Sequence, residues 1–353
     1  MASSAVMIAV EGPDGAREVR LSSPDRVLWP QAGVTKHDLA RYVVAVGAGL
    51  LRALGDRPVT LQRFPDGVEG EAFYSKNPPR GVPDWVRTVD VTYPSGRRHA
   101  QLVVDEVATA VWTVQMNSIT WHPWPVRTAD LDRPDELRID LDPQPGRGFG
   151  DAVEAAVLLR ELLSELGLTG WAKISGNRGV HVFARIRPER EFLDVRHAVI
   201  GIGRELERRA PSLVTMAWWK EERGEKVFVD FNQTNRDRTI ASAYSPRPLP
   251  HAPVSMPVTW EALPGTDPAR FTVQSVPGIV AAEGDPWAGI DEAVGDLAAA
   301  HTLWENDCER GLGELAFPPD YPKMPGEPSR VQPSRAKRAN ASDKGAVART
   351  GQK

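Results

Sequence analysis

Asp140 and Asp142 stand two residues apart in LRIDLD (137–142), and a third carboxylate, Asp230, ends the apolar run in KVFVDF (226–231). In an extended strand, side chains two apart share a face, so Asp140 and Asp142 point one way while Ile139 and Leu141 point the other. Three carboxylates on one face can share two divalent cations, as phosphoryl and nucleotidyl transfer require: ions roughly 4 Å apart stabilise the attacking and leaving oxygens together. Oxygen ligands suit Mg2+ or Mn2+ rather than zinc. Without ions, gathering three carboxylates costs on the order of several kcal/mol in repulsion and desolvation. A lone D-x-D is more often the start of a turn, here DPQPG (142–146), and an aspartate at a strand end is ordinary. The weight therefore rests on what accompanies them.

Two features do. In SGNRGVH (175–181), Gly176 and Gly179 permit a tight loop whose backbone N–H groups can cradle phosphate oxygens. Ser175, Arg178 and His181 add donors, and Arg178 adds charge. The stretch VDFNQTNRDRTIASAYSPRP (229–248) is polar for a segment that follows an apolar strand, and it offers Asn232, Gln233, Arg238 and Arg247. Arg247 suits a terminal phosphate, because a guanidinium grips such oxygens in pairs. A hairpin with an exposed arginine and a solvated loop are the plain alternatives, and Arg236 and Asp237 fit the solvated loop best. Carboxylates, glycine loop and arginine together describe a triphosphate beside two metals.

The elements that must position these residues follow from periodicity. Asp151 with Glu154 gives a capping-box start for a helix striped by Ala155, Leu158, Leu159, Leu162 and Leu166 and ended by Gly167. WAKIS (171–175) and VHVFARI (180–186) flank the turn GNRG as a hairpin. Val195, Ala198, Val199, Ile202 and Leu206 stripe a second helix, stopped by Pro211, and KVFVDF is the last strand. The order β-α-β-β-α-β is the ferredoxin-like, RRM-like arrangement. Its first and third strands are central neighbours, its fourth borders the first, and both helices cover one face. Asp140, Asp142, His181 and Asp230 then converge on the open face. The scaffold alone fixes no function.

Ahead of this module the chain mixes helix and strand. Thr35 caps a helix bearing Leu39, Val43, Val46 and Leu50, closed by Gly55. Strands are predicted at 58–63, 71–76, 85–89 and 99–104, and a helix over 106–119 precedes a loop WHPWP (121–125). The fold class is α/β (α+β). An N-terminal module (1–130) packs on a catalytic module (131–260), followed by a helical or extended cap (261–318) and a basic tail (319–353).

Composition narrows the classes. The 353 residues are 41% hydrophobic, enough for a core, and 25% charged, with a net charge of -4. Charge or proline interrupts every apolar run well short of the roughly 20 residues a membrane span needs. The start MASSAVMIAVEGPDG lacks the basic flank of a signal peptide, and the single Cys308 excludes a disulfide framework and a thiolate zinc site. A cytoplasmic protein working at the nucleoid is the expectation, with no membrane partner. From Tyr321 to Lys353, eight Lys or Arg face two Asp or Glu with no further aromatic. That stretch is expected to stay unordered, as an inert terminus or a nucleic-acid tether.

The motifs DLDP, SGNRGVH, VDFNQ and YSPRP, in that order and spacing, resemble the polymerase domain of bacterial ligase D, of the archaeo-eukaryotic primase superfamily. PDRVLWP, TKHDLARY, RPVTLQRFPDGV and EAFYSK extend the likeness over roughly residues 20–260. The resemblance implies a primase-polymerase fold acting in non-homologous end joining. It implies that Asp140, Asp142 and Asp230 ligate two Mn2+ or Mg2+ ions, Asp230 mainly the one at the primer end. Ser175, Arg178, His181, Gln233 and Arg247 hold the nucleoside triphosphate, with His122 of WHPW close by. Phe73 and Tyr74 stack on the incoming base and templating strand. Arg26 and Lys36 bind a downstream 5′-phosphate, aided by N–H groups at the Thr35-capped helix end. Arg63 contacts DNA, although Gln62 stands where a second cation is common. Arg178 replaces the usual lysine, as in stand-alone actinobacterial primase-polymerases, which favour ribonucleotides and manganese.

The resemblance thus names gapped or 5′-phosphorylated DNA and nucleoside triphosphates as partners, with Ku and a separate ligase beside them, since no lysine sits in a K-x-D-G ligase setting. A D-x-D manganese glycosyltransferase is a different class that gains nothing from a third aspartate or from cations at 26 and 36. A non-catalytic nucleic-acid-binding module would show aromatics on the central strands, where this chain has carboxylates.

Overall fold

The alternation of LRIDLD is realised in a strand, Glu136–Pro143, at the centre of a six-stranded sheet. The computed structural model describes residues 5–12, 15–93, 95–319 and 321–331. From one edge the strands run Trp171–Ile174, Val180–Ile186, Glu136–Pro143, Val227–Asp230 and Val214–Thr215, with Val294–Gly295 also pairing with Val180–Ile186. The first four are antiparallel neighbours. Helices Phe149–Glu165 and Phe192–Arg209 pack on one face of this sheet and on each other. This is the βαββαβ order read from the sequence.

Register does the positioning. Lys173 pairs with His181, His181 with Asp140, and Asp140 with Asp230, so four side chains on four adjacent strands form one cross-strand row. Asp142 lies on the same face, two residues along its strand and opposite Phe228. Val180, Val182 and Ala184 alternate with His181 and are fully buried.

The other face of the sheet is less open than the sequence implies. Arg138, two residues before Asp140, is fully buried and donates to the carbonyls of Pro123 (2.7 Å) and Trp124 (3.0 Å). Those lie at and just past the end of Ser118–Pro123, a strand where the sequence reading placed a helix end and a loop. The helix runs only over Val107–Gln115. Asn117 turns the chain at φ 59°, and Ile119, Thr120 and Trp121 are strand formers. This strand pairs with Pro58–Arg63, which also borders Phe73–Ser75 and Arg98–Val103, and Thr88–Thr92 completes that second sheet. The two sheets fall on either side of residue 130, yet one contiguous buried core extends from Val10 to Trp304.

Charged groups seal the junction. Arg57 is fully buried and pairs with Asp135 (2.6 Å) and Glu136 (3.3 Å), while Arg138 (2.6 Å) and Arg185 also reach Glu136. Burial alone would raise the Asp135 carboxyl, but Arg57, Arg185 and Arg127 hold it well below the usual carboxylate range.

Local differences have local causes. The helix at Asp151 begins three residues earlier than expected: the Asp151 carboxylate accepts from the Gly148 N–H at 2.8 Å, so Gly148 is the cap. Thr35 caps Lys36–Ala45 in a reciprocal box with Asp38, but the predicted single helix breaks at Val46 before Gly47–Leu54. The sequence there is Gly-Ala-Gly, weak in helix. In the cap region, Val276–Glu283 and Ala298–Glu309 are helical, and the latter packs on Phe192–Arg209. Within the stretch expected to stay unordered, residues 321–331 carry no helix or strand but make polar contacts. Arg330 donates to the carbonyls of Tyr321 (2.6 Å) and Pro318 (3.1 Å) and to Glu327 (2.7 Å), and the Tyr321 hydroxyl donates to the Arg236 carbonyl. The remainder of that tail lies outside the described residues.

Candidate active site

Where the Glu136–Pro143 strand emerges from under the N-terminal sheet, a cavity of about 240 Å³ opens beside the acid row. Asp140, Asp142, Ser175, Arg178, His181, His122 and Arg247 line it together, with Asn177 and Thr239–Ala241 completing the wall. Seven of the residues singled out from the sequence thus meet around one space.

Asp140 lies between Asp230 and His181. Burial, then the like charges of Asp230 and Asp142, push its carboxyl up to about 7. Burial also raises Asp230, opposed by the Asn232 N–H on Oδ1 (2.8 Å) and the Gln233 amide on Oδ2 (2.9 Å). Asp142 is exposed and accepts from Gln144 Nε2 at 3.1 Å. Gln144 in turn takes a 3.4 Å hydrogen bond from Arg223, whose guanidinium lies 3.5 Å over the Phe228 ring. The donor set fits divalent cations by its chemistry: hard oxygens of one sign, one of them displaced toward protonation by its neighbours, a strain that a cation between them relieves. Among the described residues, no three His, Cys, Asp or Glu side chains already close into a finished cage.

The glycine loop is built differently from a free amide cradle. Ser175 Oγ accepts from the N–H groups of Asn177 and Gly179, both at 3.1 Å, so those two amides are taken inside the loop. Arg178 of the loop lines the cavity and also reaches the Pro143 carbonyl at 3.4 Å. Gly176 sits at φ 73° with Arg247 Cγ 2.6 Å from where a Cβ would be, and a Cβ on Gly179 would meet the Leu141 carbonyl at 2.6 Å. Both glycines are demanded by close approach to the site's own walls.

Two residues that line the cavity each hold a buried nitrogen without a hydrogen-bond partner among the described residues: Nε2 of His122 and Nε of Arg247. Burial, then the charges of Arg247, Lys173 and Arg138, lower the His122 imidazole to about 3, so it is neutral. Burial also pulls Arg247 down from its usual value, partly offset by Asp140. Buried polar atoms lacking partners point to a polar ligand.

Other predicted residues lie around this centre. Tyr74 is exposed and sets its ring edge-on to His122 at 5.5 Å, while the exposed Phe73 ring lies under the Arg63 guanidinium at 4.9 Å. Arg63 Nε donates to the Met116 carbonyl at 2.8 Å. Gln233 turns to Asp230 rather than into the cavity, and Asn232 faces away, bonded to Asn235 (2.6 Å) and the Ala316 carbonyl (3.3 Å). Arg26 and Lys36 are neighbours: the Lys36 N–H donates to the Arg26 carbonyl at 2.8 Å. Lys36 is buried with Nζ on the Gln115 carbonyl (2.8 Å), and burial, then Arg26, lower it to about 8. Arg26 pairs with Asp66 at 3.1 Å. The N–H groups of Lys36, His37 and Asp38 at that helix end are already taken by the Arg26 and Pro24 carbonyls and the Thr35 hydroxyl, so they are not the anion grip expected of them.

Sequence reasoning missed Lys173, Gln144 and Arg223. Lys173 was findable, because it alternates with Ala172 and Ile174 and therefore shares the His181 face. Gln144 reaches back two residues to Asp142 in the turn after the strand, and Arg223 joins through a tertiary contact that no spacing announces.

Fold and site define a ferredoxin-like α/β protein whose acidic strand row opens into a cleft rimmed by arginine and histidine. The chain belongs to a known family, described as LigD, primase-polymerase domain, whose model matches residues 35–287. It is 34% identical over 274 residues to the multifunctional non-homologous end joining protein LigD of Pseudomonas aeruginosa, covering 76% of this chain and 32% of that one. It is 30% identical over 317 residues to the LigD of Mycolicibacterium smegmatis, covering 88% and 41%. The chain therefore spans less than half the length of these relatives. Among solved structures it resembles the polymerase domain of Mycobacterium tuberculosis ligase D in complex with DNA, with a TM-score of 0.73 and 29% identity over 78% of this chain and 98% of that one.

Proposed function

We propose that this chain is a template-directed, DNA-dependent nucleotidyl transferase that fills gaps or extends ends in break repair by non-homologous end joining. One observation carries the reading: Asp140 and Asp142 line the same cavity as Ser175, Arg178, His181, His122 and Arg247, and Asp230 pairs with Asp140 on the adjacent strand. Carboxylates for cations and donors for phosphates share one space.

Asp140, Asp142 and Asp230 would hold two Mg2+ or Mn2+ ions, which neutralise charge on the triphosphate and activate the attacking hydroxyl. The chain's own residues do the rest. Arg178 and Arg247 bind phosphate oxygens by charge-assisted hydrogen bonds, and His181 and His122 add uncharged donors. Gln233 and the Asn232 N–H fix the Asp230 carboxylate, and Gln144 fixes Asp142. Tyr74, edge-on to His122, offers a ring face to a base, with Phe73 beside it. Arg26 and Lys36 receive a downstream 5′-phosphate, and Arg63 tracks the strand. A preference for ribonucleotides and manganese accompanies Arg178 in SGNRGVH, and Ku and a separate ligase are the partners of such a repair step.

The test is addition of a labelled nucleoside triphosphate to a primer–template in Mg2+ or Mn2+. The wild-type chain elongates the primer, and Asp142→Ala or Asp230→Ala abolishes elongation while thermal stability and DNA affinity persist. Near-normal elongation by Asp142→Ala removes the two-metal assignment.

A further inference from the structure

Lys173 has no exposed surface, although it lies only two strands from Asp140. Its Nζ is 2.7 Å from His181 Nδ1 and 2.5 Å from Ser255 Oγ. Ser255 gives its own hydroxyl hydrogen to the Ile174 carbonyl at 3.0 Å, so toward Lys173 its oxygen accepts. An amine has N–H groups enough to donate to both Ser255 and Nδ1. Across the ring, His181 Nε2 lies 3.4 Å from Asp140 Oδ1, on the side of the cleft. A Lys173 N–H on Nδ1 leaves that nitrogen bare and puts the ring's one proton on Nε2.

Ser255 connects this ring to a second phosphate-facing group. The Ser255 N–H donates to the Ser245 carbonyl (2.9 Å), and the Arg247 N–H donates to the Pro253 carbonyl (2.7 Å). Arg247 thus sits in a ladder tied at Ser255 to the Lys173 amine.

We propose that Lys173 is a positioning residue for nucleotidyl transfer: it holds His181 as an Nε2–H donor into the cleft and, through Ser255, ties that ring to the ladder carrying Arg247. The role rests on the polymerase reading, because it needs a nucleotide for His181 and Arg247 to receive. Neither side chain then has to choose its orientation when a triphosphate arrives.

The ring nitrogens of histidine labelled with 15N report the tautomer directly, on the full chain without nucleotide or metal. In the wild type, His181 shows a protonated Nε2 and an unprotonated Nδ1. Lys173→Met gives a mixture of tautomers, and Lys173→Gln, which keeps an N–H donor, restores part of the wild-type pattern. In primer extension, Lys173→Met raises KM for nucleoside triphosphate about tenfold, the loss of one charge-assisted contact, with primer–template affinity unchanged. A protonated Nδ1 in the wild type overturns the proposal whether or not the variants fold. An unchanged tautomer and KM in folded Lys173→Met overturn it as well. A wild type that elongates nothing overturns the polymerase reading instead and leaves the tautomer result standing.

Discussion

At the scale of single residues, the site is a conflict of like charges held in place by the fold. Asp140 moves from 3.8 to about 7, first by burial and then by Asp230 and Asp142. A carboxyl whose pKa is higher folded than unfolded stabilises the protein below the unfolded value, and that stability is lost as pH rises through the folded value. The metal-free protein should therefore lose stability between pH 3.8 and about 7 on account of this group. Asp140→Asn removes the loss and should stabilise the chelator-treated protein above pH 7 by on the order of 2–4 kcal/mol. Denaturant unfolding across that range checks it, and parallel pH profiles for the two proteins would refute it. In the proposed reading Arg247 and Arg178 have the opposite task of meeting a ligand's charge. Replacing either with alanine should raise KM for nucleoside triphosphate by roughly ten- to a hundredfold, the worth of a charge-assisted hydrogen bond. DNA affinity without nucleotide should hardly move, and loss of DNA with nucleotide binding intact would reassign both arginines.

At the scale of elements, most of what matters was legible where local pattern and pairing agree. The alternation of LRIDLD, the two helix stripes and the glycine hairpin lead to the correct sheet order, and hence to Asp140 beside both His181 and Asp230. What was not legible depends on contacts between distant segments. The strand Ser118–Pro123 reads as helix and loop until its partners are known, because its pairing with Pro58–Arg63 and its seating on Arg138 are long-range. The loop has fewer open amides than the glycine spacing implies for a similar reason: the Ser175 hydroxyl accepts from two of them, on Asn177 and Gly179. This makes Gly179 a test of the loop as a built element. Gly179→Ala places a Cβ 2.6 Å from the Leu141 carbonyl, on the strand that carries Asp140 and Asp142. The variant should fold with a loss of about 1–3 kcal/mol and extend primers at least tenfold more slowly. Calorimetry and single-turnover extension measure the two effects, and full activity would mean that the loop's shape is immaterial to the chemistry.

At the scale of the whole molecule, one core joins two sheets, and buried arginines around Asp135 and Glu136 lock them. The proposed nucleotide cleft and the proposed 5′-phosphate grip are therefore carried by elements that share one core. Arg26 and Lys36 are packed together, and the lowering of Lys36 to about 8 reflects burial and then that neighbouring charge. In the proposed reading this pair receives a terminal phosphate, which carries more charge than an internal diester. Gapped DNA ending in 5′-phosphate should bind at least several-fold more tightly than the same gap ending in 5′-hydroxyl, one charge-assisted contact or more. Arg26→Ala combined with Lys36→Ala should erase the difference without altering extension of a simple primer–template, and equal binding of both gaps by the wild type would remove the pocket. The central claim, however, is template direction by a two-metal site. Four gapped duplexes that differ only in the templating base, each offered one nucleoside triphosphate at a time in Mn2+, test it most directly. The account predicts that the complementary nucleotide is joined to each primer and that Asp230→Ala joins none. Incorporation indifferent to the templating base, or retained by Asp230→Ala, would contradict it.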